Sequence, residues 1–261
     1  MHFDRDFIIG DRGYIANELK KRPTLISKFQ FLPSSAIDLI PLGFGGHIIV
    51  ISFPRKWFST ENYDHHIEKQ LLKRVNPNHC KITYLSSSKV YPDGLDINES
   101  HKLKPQSIYA KNKALAEEFI QNNFSYYRIL RATNFFSKSG GSFNSFFFHI
   151  KRNLKETNSI IFDVSLDSER DFINVDFLGK FLESNDFFGG IFNFSSGIRI
   201  AISEIVNLII GNSNFSNSEI RIVSSDEIKS QILCNKKLLS TYNIERITKS
   251  QILNEISSIK F

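Results

Sequence analysis

The chain has 261 residues, 41% of them hydrophobic, with a net charge of +6 and a pI near 9.2. That is enough chain to bury a substantial core as one large α/β domain or a domain with a smaller lobe, and no apolar run reaches the roughly 20 residues that span a bilayer, so no membrane partner is expected. Lysines and arginines are spread along the chain rather than gathered in a stripe, which argues against nucleic acid, and the start, Met1-His-Phe-Asp-Arg, lacks the regions of a secretory signal, so the expected location is cytoplasmic.

The first strand candidate, Asp6-Phe-Ile-Ile9, runs into Gly10-Asp-Arg-Gly13-Tyr14-Ile15-Ala16 and then a helical pattern. Glycines at a strand-to-helix turn let the backbone approach a pyrophosphate, and the helix start supplies amide donors. Gly10, Gly13, Tyr14 and Ile15 are therefore cofactor-binding candidates, although two glycines three apart also fit a plain tight turn. Pro23 is expected to end the short helix that follows, with a second strand over Thr24–Lys28. An acidic residue at that strand's end would hold the ribose hydroxyls of NAD, whereas Ser27 and Lys28 suit a 2′-phosphate, which tips the choice between NAD and NADP towards NADP.

Gly46–Ser52 is a continuous apolar run of the kind that parallel sheets bury, and Ser52 and Phe53 in the turn after it should border the cofactor. A helix is predicted from Tyr63 to Val75. His65 and His66 point in different directions on it, so no metal site is expected. Cys80 and Cys234 lack ligand-like spacing and read as structural. Lys81–Tyr91 reads as a strand that runs into Ser86, Ser87 and Ser88, which places a hydroxyl at the carboxyl end of a sheet strand. Further on, Tyr109 and Lys113 stand four apart on a helix and share a face. A free phenol titrates near a pKa of about 10, and a neighbouring lysine cation brings it into use as an acid or base. The ordinary alternative is a half-buried pair beside a polar turn.

Tyr126–Arg131 predicts another strand, with Ala132-Thr-Asn134 at its end. Phe146-Phe-Phe148 reads as core. Arg170–Asp176 and Gly190–Gly197 follow, then an amphipathic helix from Ser203 to Ile210. Strands alternating with helices argue for an α/β doubly wound parallel sheet. All prolines fall at or before Pro105, and no Pro- or Gly-rich linker separates two independent domains.

Together these segments resemble the extended short-chain dehydrogenase/reductase family, in its NAD-dependent epimerase/dehydratase branch acting on nucleotide sugars. The likeness covers nearly the whole chain. The family's GxxGxxG turn matches Gly10, Gly13 and Ala16, its Ser-x-x-Val-Tyr element Ser87 to Tyr91, and its Pro-x-Ser-x-Tyr-x-x-x-Lys element Pro105 to Lys113. Its Leu-Arg-x-x-Asn element appears as Leu130 to Asn134, and its Arg-Asp-Phe-Ile-x-Val-Asp element as Arg170 to Asp176. The resemblance implies a Rossmann-type dinucleotide-binding lobe over residues 1–140 and a small C-terminal substrate lobe over 141–261 with segments returning to the sheet. It implies Ser87, Tyr109 and Lys113 as the catalytic set, and Ser87, Ser88, Asn134 and Arg170 as substrate contacts, with Arg170 gripping a nucleoside diphosphate. It also implies a homodimer, formed through the helix near Tyr63–Val75 and the Tyr109 helix.

The departures narrow the reaction. Ser88 and Lys89 stand where dehydratases of this branch carry an acidic pair. Reductases that also epimerise C3 and C5 add a cysteine and a histidine that Ser88 and Phe135–Lys138 do not supply. Redox at one carbon remains, at C4 of a nucleotide-linked sugar. A reductase of a 4-keto-6-deoxy sugar and a 4-epimerase use the same residues, and a dinucleotide-binding module without turnover is a third reading. The stretch between the first helix and Gly46 is shorter than the family's, which suits an exchanging cofactor and so favours the reductase, in the family's usual setting of surface polysaccharide synthesis.

Overall fold

The computed structural model describes residues 5–52, 67–139, 145–184, 186–212 and 220–259. In chain order the elements are β1 (Asp6–Ile9), α1 (Tyr14–Leu19), α2 (Pro23–Lys28), β2 (Phe29–Leu32), β3 (His47–Val50), α3 (Ile67–Leu72), β4 (Lys81–Ser87), β5 (Gly94–Ile97), α4 (Ile108–Asn123), β6 (Tyr126–Ala132) and β7 (Asn134–Phe136). There follow α5 (Phe146–Thr157), β8 (Ser159–Ile161), β9 (Glu169–Arg170), β10 (Phe172–Asn174), α6 (Val175–Glu183), β11 (Gly190–Phe194), β12 (Ile200–Ala201), α7 (Ile202–Asn212), β13 (Arg221–Val223), β14 (Gln231–Leu233), α8 (Lys236–Tyr242) and α9 (Lys249–Ser257). They divide into two compact units, the first comprising residues 1–92, 99–132 and 179–194 and the second 93–98, 133–178 and 195–261.

The first unit is a parallel sheet in the order β11-β6-β4-β3-β1-β2. Its strands are the apolar runs of the sequence. Phe7, Ile9, Ile48, Val50, Ile82, Tyr84 and Ile129 are buried in one core with Ala116 and Ile120 of α4 and Ile67 and Leu71 of α3. Each such side chain contributes roughly 1.5–3 kcal/mol on burial. Ser107 caps α4, its hydroxyl accepting from the amide of Ala110 at 3.2 Å, which fixes where the helix begins. The Rossmann order is 3-2-1-4-5-6, with two strands outside the first. Among the described residues, β2 alone lies outside β1.

Residues 23–28 differ from expectation. They form α2, with Pro23 in its first turn, and the strand starts only at Phe29. Proline has no amide hydrogen to lose at a helix start and its fixed φ suits that position, so it opens a helix as readily as it ends one. At the amino end of the sheet, the half-buried His47 bonds through Nε2 to the Thr83 hydroxyl at 2.8 Å. Burial and the nearby Arg128 charge push its pKa down to about 3. Cys80 is a fully buried free thiol, pushed up to about 12 by that burial.

The second unit has its own core. Phe147, Ile150 and Leu154 of α5 pack with Phe172, Ile205, Ile209, Ile252 and Ile256, while Phe146 is partly buried beside them and stacks on Phe162 with ring centroids 5.6 Å apart. Ser145 caps the start of α5, and Asn158 ends it in the left-handed conformation at φ 47°. Around this core lie a four-stranded sheet ordered β12-β9-β14-β5 and the parallel pairs β7–β10 and β8–β13.

Candidate active site

In the first unit, β4 is buried from Ile82 to Ser86, and it ends at Ser87. The Ser87 hydroxyl caps the single turn that follows, accepting from the Lys89 amide at 3.2 Å, and it is also hydrogen-bonded to the Tyr109 hydroxyl. Tyr109 sits in the first turn of α4, and α4 packs along β4. One turn on, the buried Lys113 donates from Nζ to the Leu85 carbonyl at 2.7 Å. That ammonium stands 4.5 Å from the Tyr84 ring centroid and 6.0 Å from that of Tyr109. Ser87, Tyr109 and Lys113 are therefore brought together as expected, and Ser88, 5% exposed, is buried beside them in sequence.

The electrostatics differ from those of a free pair. Burial pushes the Tyr109 phenol up to about 12, with the Ser87 bond pulling the other way. Burial brings Lys113 down to about 8, opposed by the carboxylates of Glu68 and Glu117. The phenol is thus protonated at neutral pH and placed to give up its proton. Behind it, Arg131 grips Glu117 with Nε at 3.0 Å and Nη2 at 2.7 Å, and Ser86 donates to the same carboxylate. Arg131 also donates to the Tyr91 hydroxyl at 2.6 Å, and Tyr91 donates to Asn193 at 3.0 Å. The expected Leu-Arg element thus braces the floor of the site through Arg131.

The glycine turn lies at the carboxyl edge of the same sheet. Gly10 adopts φ +118° and donates its amide to Leu32, while Ser52 donates to the Ile9 carbonyl. Gly13 is different. Its φ is an ordinary −78°, and a Cβ there would meet no atom of the described residues within 4 Å. Neither backbone conformation nor packing among the described residues demands glycine there, although it serves as the N-cap of α1, whereas a dinucleotide lying against the backbone does demand it. Tyr14 and Ile15 open α1, and Ala16 is fully buried where the third glycine was expected. These residues fit a dinucleotide. Phe53 lies outside the described residues, as do His65 and His66.

Ser27 and Lys28 are not where the sequence placed them. Both end α2, ahead of β2, so they stand at the amino end of that strand and away from the edge that faces a cofactor. Ser27 bonds the Thr24 carbonyl at 2.9 Å, and Lys28 lies over the Phe29 ring at 5.4 Å. Pro33, Ser34 and Ser35 follow β2 instead. The case for NADP that rested on Ser27 and Lys28 falls with their position.

Asn134 and Arg170 belong to the second unit. Asn134 donates from Nδ2 to the Asp171 carbonyl at 2.9 Å. Arg170 donates from Nη1 to the carbonyls of Glu169 and Lys229, and burial lowers its pKa. The fully buried Asp171 accepts from the Ser196 amide at 3.0 Å, the Ser196 hydroxyl at 2.6 Å and the Gly197 amide at 3.1 Å. Burial still pushes its carboxyl up to about 7. Asp171, Glu117 and Glu68 were missed from sequence. Only Asp171 carried a signal there, as the neighbour of Arg170 in its element.

The sequence model of the NAD dependent epimerase/dehydratase family matches residues 49–179. No curated protein matches the chain. Among solved structures it is similar to MoeE5 in complex with UDP-glucuronic acid and NAD, at a TM-score of 0.77 and 14% identity, covering 98% of this chain and 97% of that one. It is similar to a UDP-N-acetylglucosamine 4-epimerase from Methanobrevibacter ruminantium at a TM-score of 0.76 and 16% identity, with 99% and 97% covered. It is also similar to a dTDP-4-dehydrorhamnose reductase from Bacillus anthracis in complex with NADP, at a TM-score of 0.75 and 17% identity, with 97% of each covered.

Proposed function

The chain belongs to the NAD-dependent epimerase/dehydratase family, and from that premise we propose that it is an NAD(P)-dependent reductase of a nucleoside-diphosphate 4-keto-6-deoxy sugar. The observation that carries this is the Ser87–Tyr109 hydrogen bond with the Lys113 ammonium beside the phenol. Ser88 and Lys89, in place of an acidic pair, argue against water elimination, and β2 as the single strand outside β1 among the described residues suits a cofactor that comes and goes.

A bound nicotinamide dinucleotide supplies the hydride, and Gly10, Gly13, Tyr14, Ile15 and Ser52 would hold it. The protein's part is the proton and the charge. Tyr109, protonated at neutral pH, gives its proton to the carbonyl oxygen as negative charge develops there. Ser87 donates a hydrogen bond to the same oxygen. Lys113 then stabilises the tyrosinate, which would otherwise stand as an uncompensated charge in a buried setting. Asn134 and Arg170 are assigned to the nucleotide-sugar, Arg170 for its planar fork of donors towards phosphate oxygens.

The test is absorbance at the reduced-nicotinamide band after mixing the protein with NADH or NADPH and a freshly made 4-keto-6-deoxy nucleotide sugar. Stoichiometric loss of absorbance is the expected result. No loss, with NAD(H) retained in the purified protein, would move the assignment to a nucleotide-sugar 4-epimerase. No loss and no retained cofactor, with NADH or NADPH still bound in a titration, would leave a dinucleotide-binding module.

A further inference from the structure

On the sheet face that packs against α4, the core turns from apolar to polar just before the strands end. Tyr84 of β4 pairs with Ile129 of β6, and both are buried in one core with Ala116 and Ile120 of α4. Two residues on, Ser86 pairs with Arg131, which pairs in turn with Asn193 of β11, and all three are buried. Glu117 of α4, equally buried, meets this polar row. One of its carboxylate oxygens accepts from Arg131 Nε at 3.2 Å and from the Ser86 hydroxyl, and the other accepts from Arg131 Nε at 3.0 Å and Nη2 at 2.7 Å. Tyr91, bonded to both Arg131 and Asn193, fixes the guanidinium from its far side. A buried ion pair of this kind contributes little net stability, because desolvation offsets its attraction, but its geometry is exacting. A helix displaced by one residue moves about 1.5 Å and turns by about 100°, so Glu117 meets Ser86 and Arg131 together at a single position of α4 along β4.

The same face of α4 carries the reacting side chains. Lys113, one turn before Glu117, donates to the Leu85 carbonyl at 2.7 Å, and Tyr109, one turn earlier still, is bonded to the Ser87 hydroxyl. Three turns of one helix thus hold three consecutive residues of β4. We propose that Glu117 is a positioning residue of the site, which through Ser86 and Arg131 fixes the end of β4 against α4 and so keeps Ser87 within hydrogen-bond reach of Tyr109. Ser86 is the link, being the chain neighbour of Ser87 and a direct donor to Glu117. Arg131 is the anchor, because it holds Glu117 from the adjacent strand while Ala132, its own neighbour, pairs with Ser87. Glu117 touches no reacting atom in this scheme. Its catalytic consequence rests on the reductase reading, and its hold on Ser87 does not.

The test is therefore made first without substrate. Tyrosine carrying a 13C label at Cζ is incorporated, the Tyr109 signal is assigned by its absence in Tyr109→Phe, and Ser87→Ala shows where that signal falls once the Ser87 bond is gone. Ser86→Ala cuts the link and keeps the ion pair. Glu117→Leu/Arg131→Met replaces the pair with apolar groups of similar size, a change that buried pairs tolerate when both members go together. In both variants the Tyr109 signal is expected to move from its native position towards that of Ser87→Ala. A signal that keeps its native position in Ser86→Ala overturns the proposal, and that variant decides alone if the double variant does not fold. In the active enzyme, Ser86→Ala lowers kcat roughly 10- to 100-fold with KM near native, as a misplacement of about 1 Å does. In a Ser87→Ala background it lowers kcat no further, because Ser86 acts through Ser87. Equal losses in the two backgrounds would reduce Ser86 and Glu117 to general supports of the fold and overturn the proposal. A native protein that turns over no nucleotide-linked keto sugar sinks the reductase reading and leaves the Tyr109 signal to decide this one.

Discussion

A Cβ on Gly10 would stand 2.7 Å from the Cβ of Ser52 and 2.9 Å from its backbone nitrogen, at a φ of +118° that side chains rarely adopt. Gly13, three residues on, has open space where its Cβ would be. The two glycines of one motif therefore serve different ends. Gly10→Ala is expected to destabilise the fold by about 1–3 kcal/mol through strain and clash. Gly13→Ala is expected to cost less, about 0.5–1 kcal/mol from the poorer N-cap of α1, while weakening NAD(P)H binding. Urea unfolding and a fluorescence titration of reduced cofactor separate the two, and equal stability losses would contradict the assignment.

Tyr109→Phe removes the proton donor and leaves the ring. Turnover should fall by roughly 10²–10⁴, the range of positioned acid–base groups, with cofactor affinity near native. Steady-state rates at saturating cofactor measure the first quantity and equilibrium dialysis the second. Native-like turnover in the phenylalanine variant would remove Tyr109 from the mechanism.

Asp171 makes stability depend on pH in a predictable direction. Its carboxyl sits at about 7 in the folded protein against about 3.9 in an unfolded chain. The folded state therefore binds the proton more tightly, and this contribution is full below pH ~4, falls as pH rises and is gone above pH ~7. Asp171→Asn cannot titrate. The stability of native protein relative to Asp171→Asn should decline across that window, with a slope of at most about 1.4 kcal/mol per pH unit, as measured by denaturant unfolding at a series of pH values. A constant difference would show that Asp171 stays ionised throughout.

Lys28 lies at the amino end of β2, over the Phe29 ring. Lys28→Ala should leave the ratio of kcat/KM for NADPH over NADH within about twofold of native, well under the 1.4 kcal/mol that a tenfold change would require. A collapse of NADPH use alone would put the lysine back at the cofactor.

Part of the sheet was legible because a strand buried on both faces reads as an apolar run, as Phe7–Ile9 of β1 and Ile48–Val50 of β3 do, while β4 and β6 showed as β-rich stretches despite Thr83, Arg128 and Arg131. The Tyr109 and Lys113 pair was legible because a helical i, i+4 spacing places two side chains on one face without knowledge of the rest, whereas the strand end offered three serines and only the family resemblance singled out Ser87. Residues 23–28 were misread because proline suits a helix start as well as a stop, and that one error carried Ser27 and Lys28 to the wrong end of a strand. Glu68 and Glu117 were invisible for a different reason. A glutamate on a helix reads as solvated, and the burial of Glu117 depends on Arg131 and Ser86, partners set by tertiary packing.

The sheet of the first unit closes on β11, a strand that arrives only after the chain has left for residues 133–178 and come back. On a ribosome, β6 is complete at Ala132 yet has an open hydrogen-bonding edge until residue 194 has emerged. Asn193, which accepts from Tyr91 and donates its amide to Glu99 at 2.8 Å, comes with that last strand. Synthesis cannot finish the two units one after the other. The nascent chain must shelter an apolar edge, the kind of surface that invites pairing with other chains, through the making of much of its second unit.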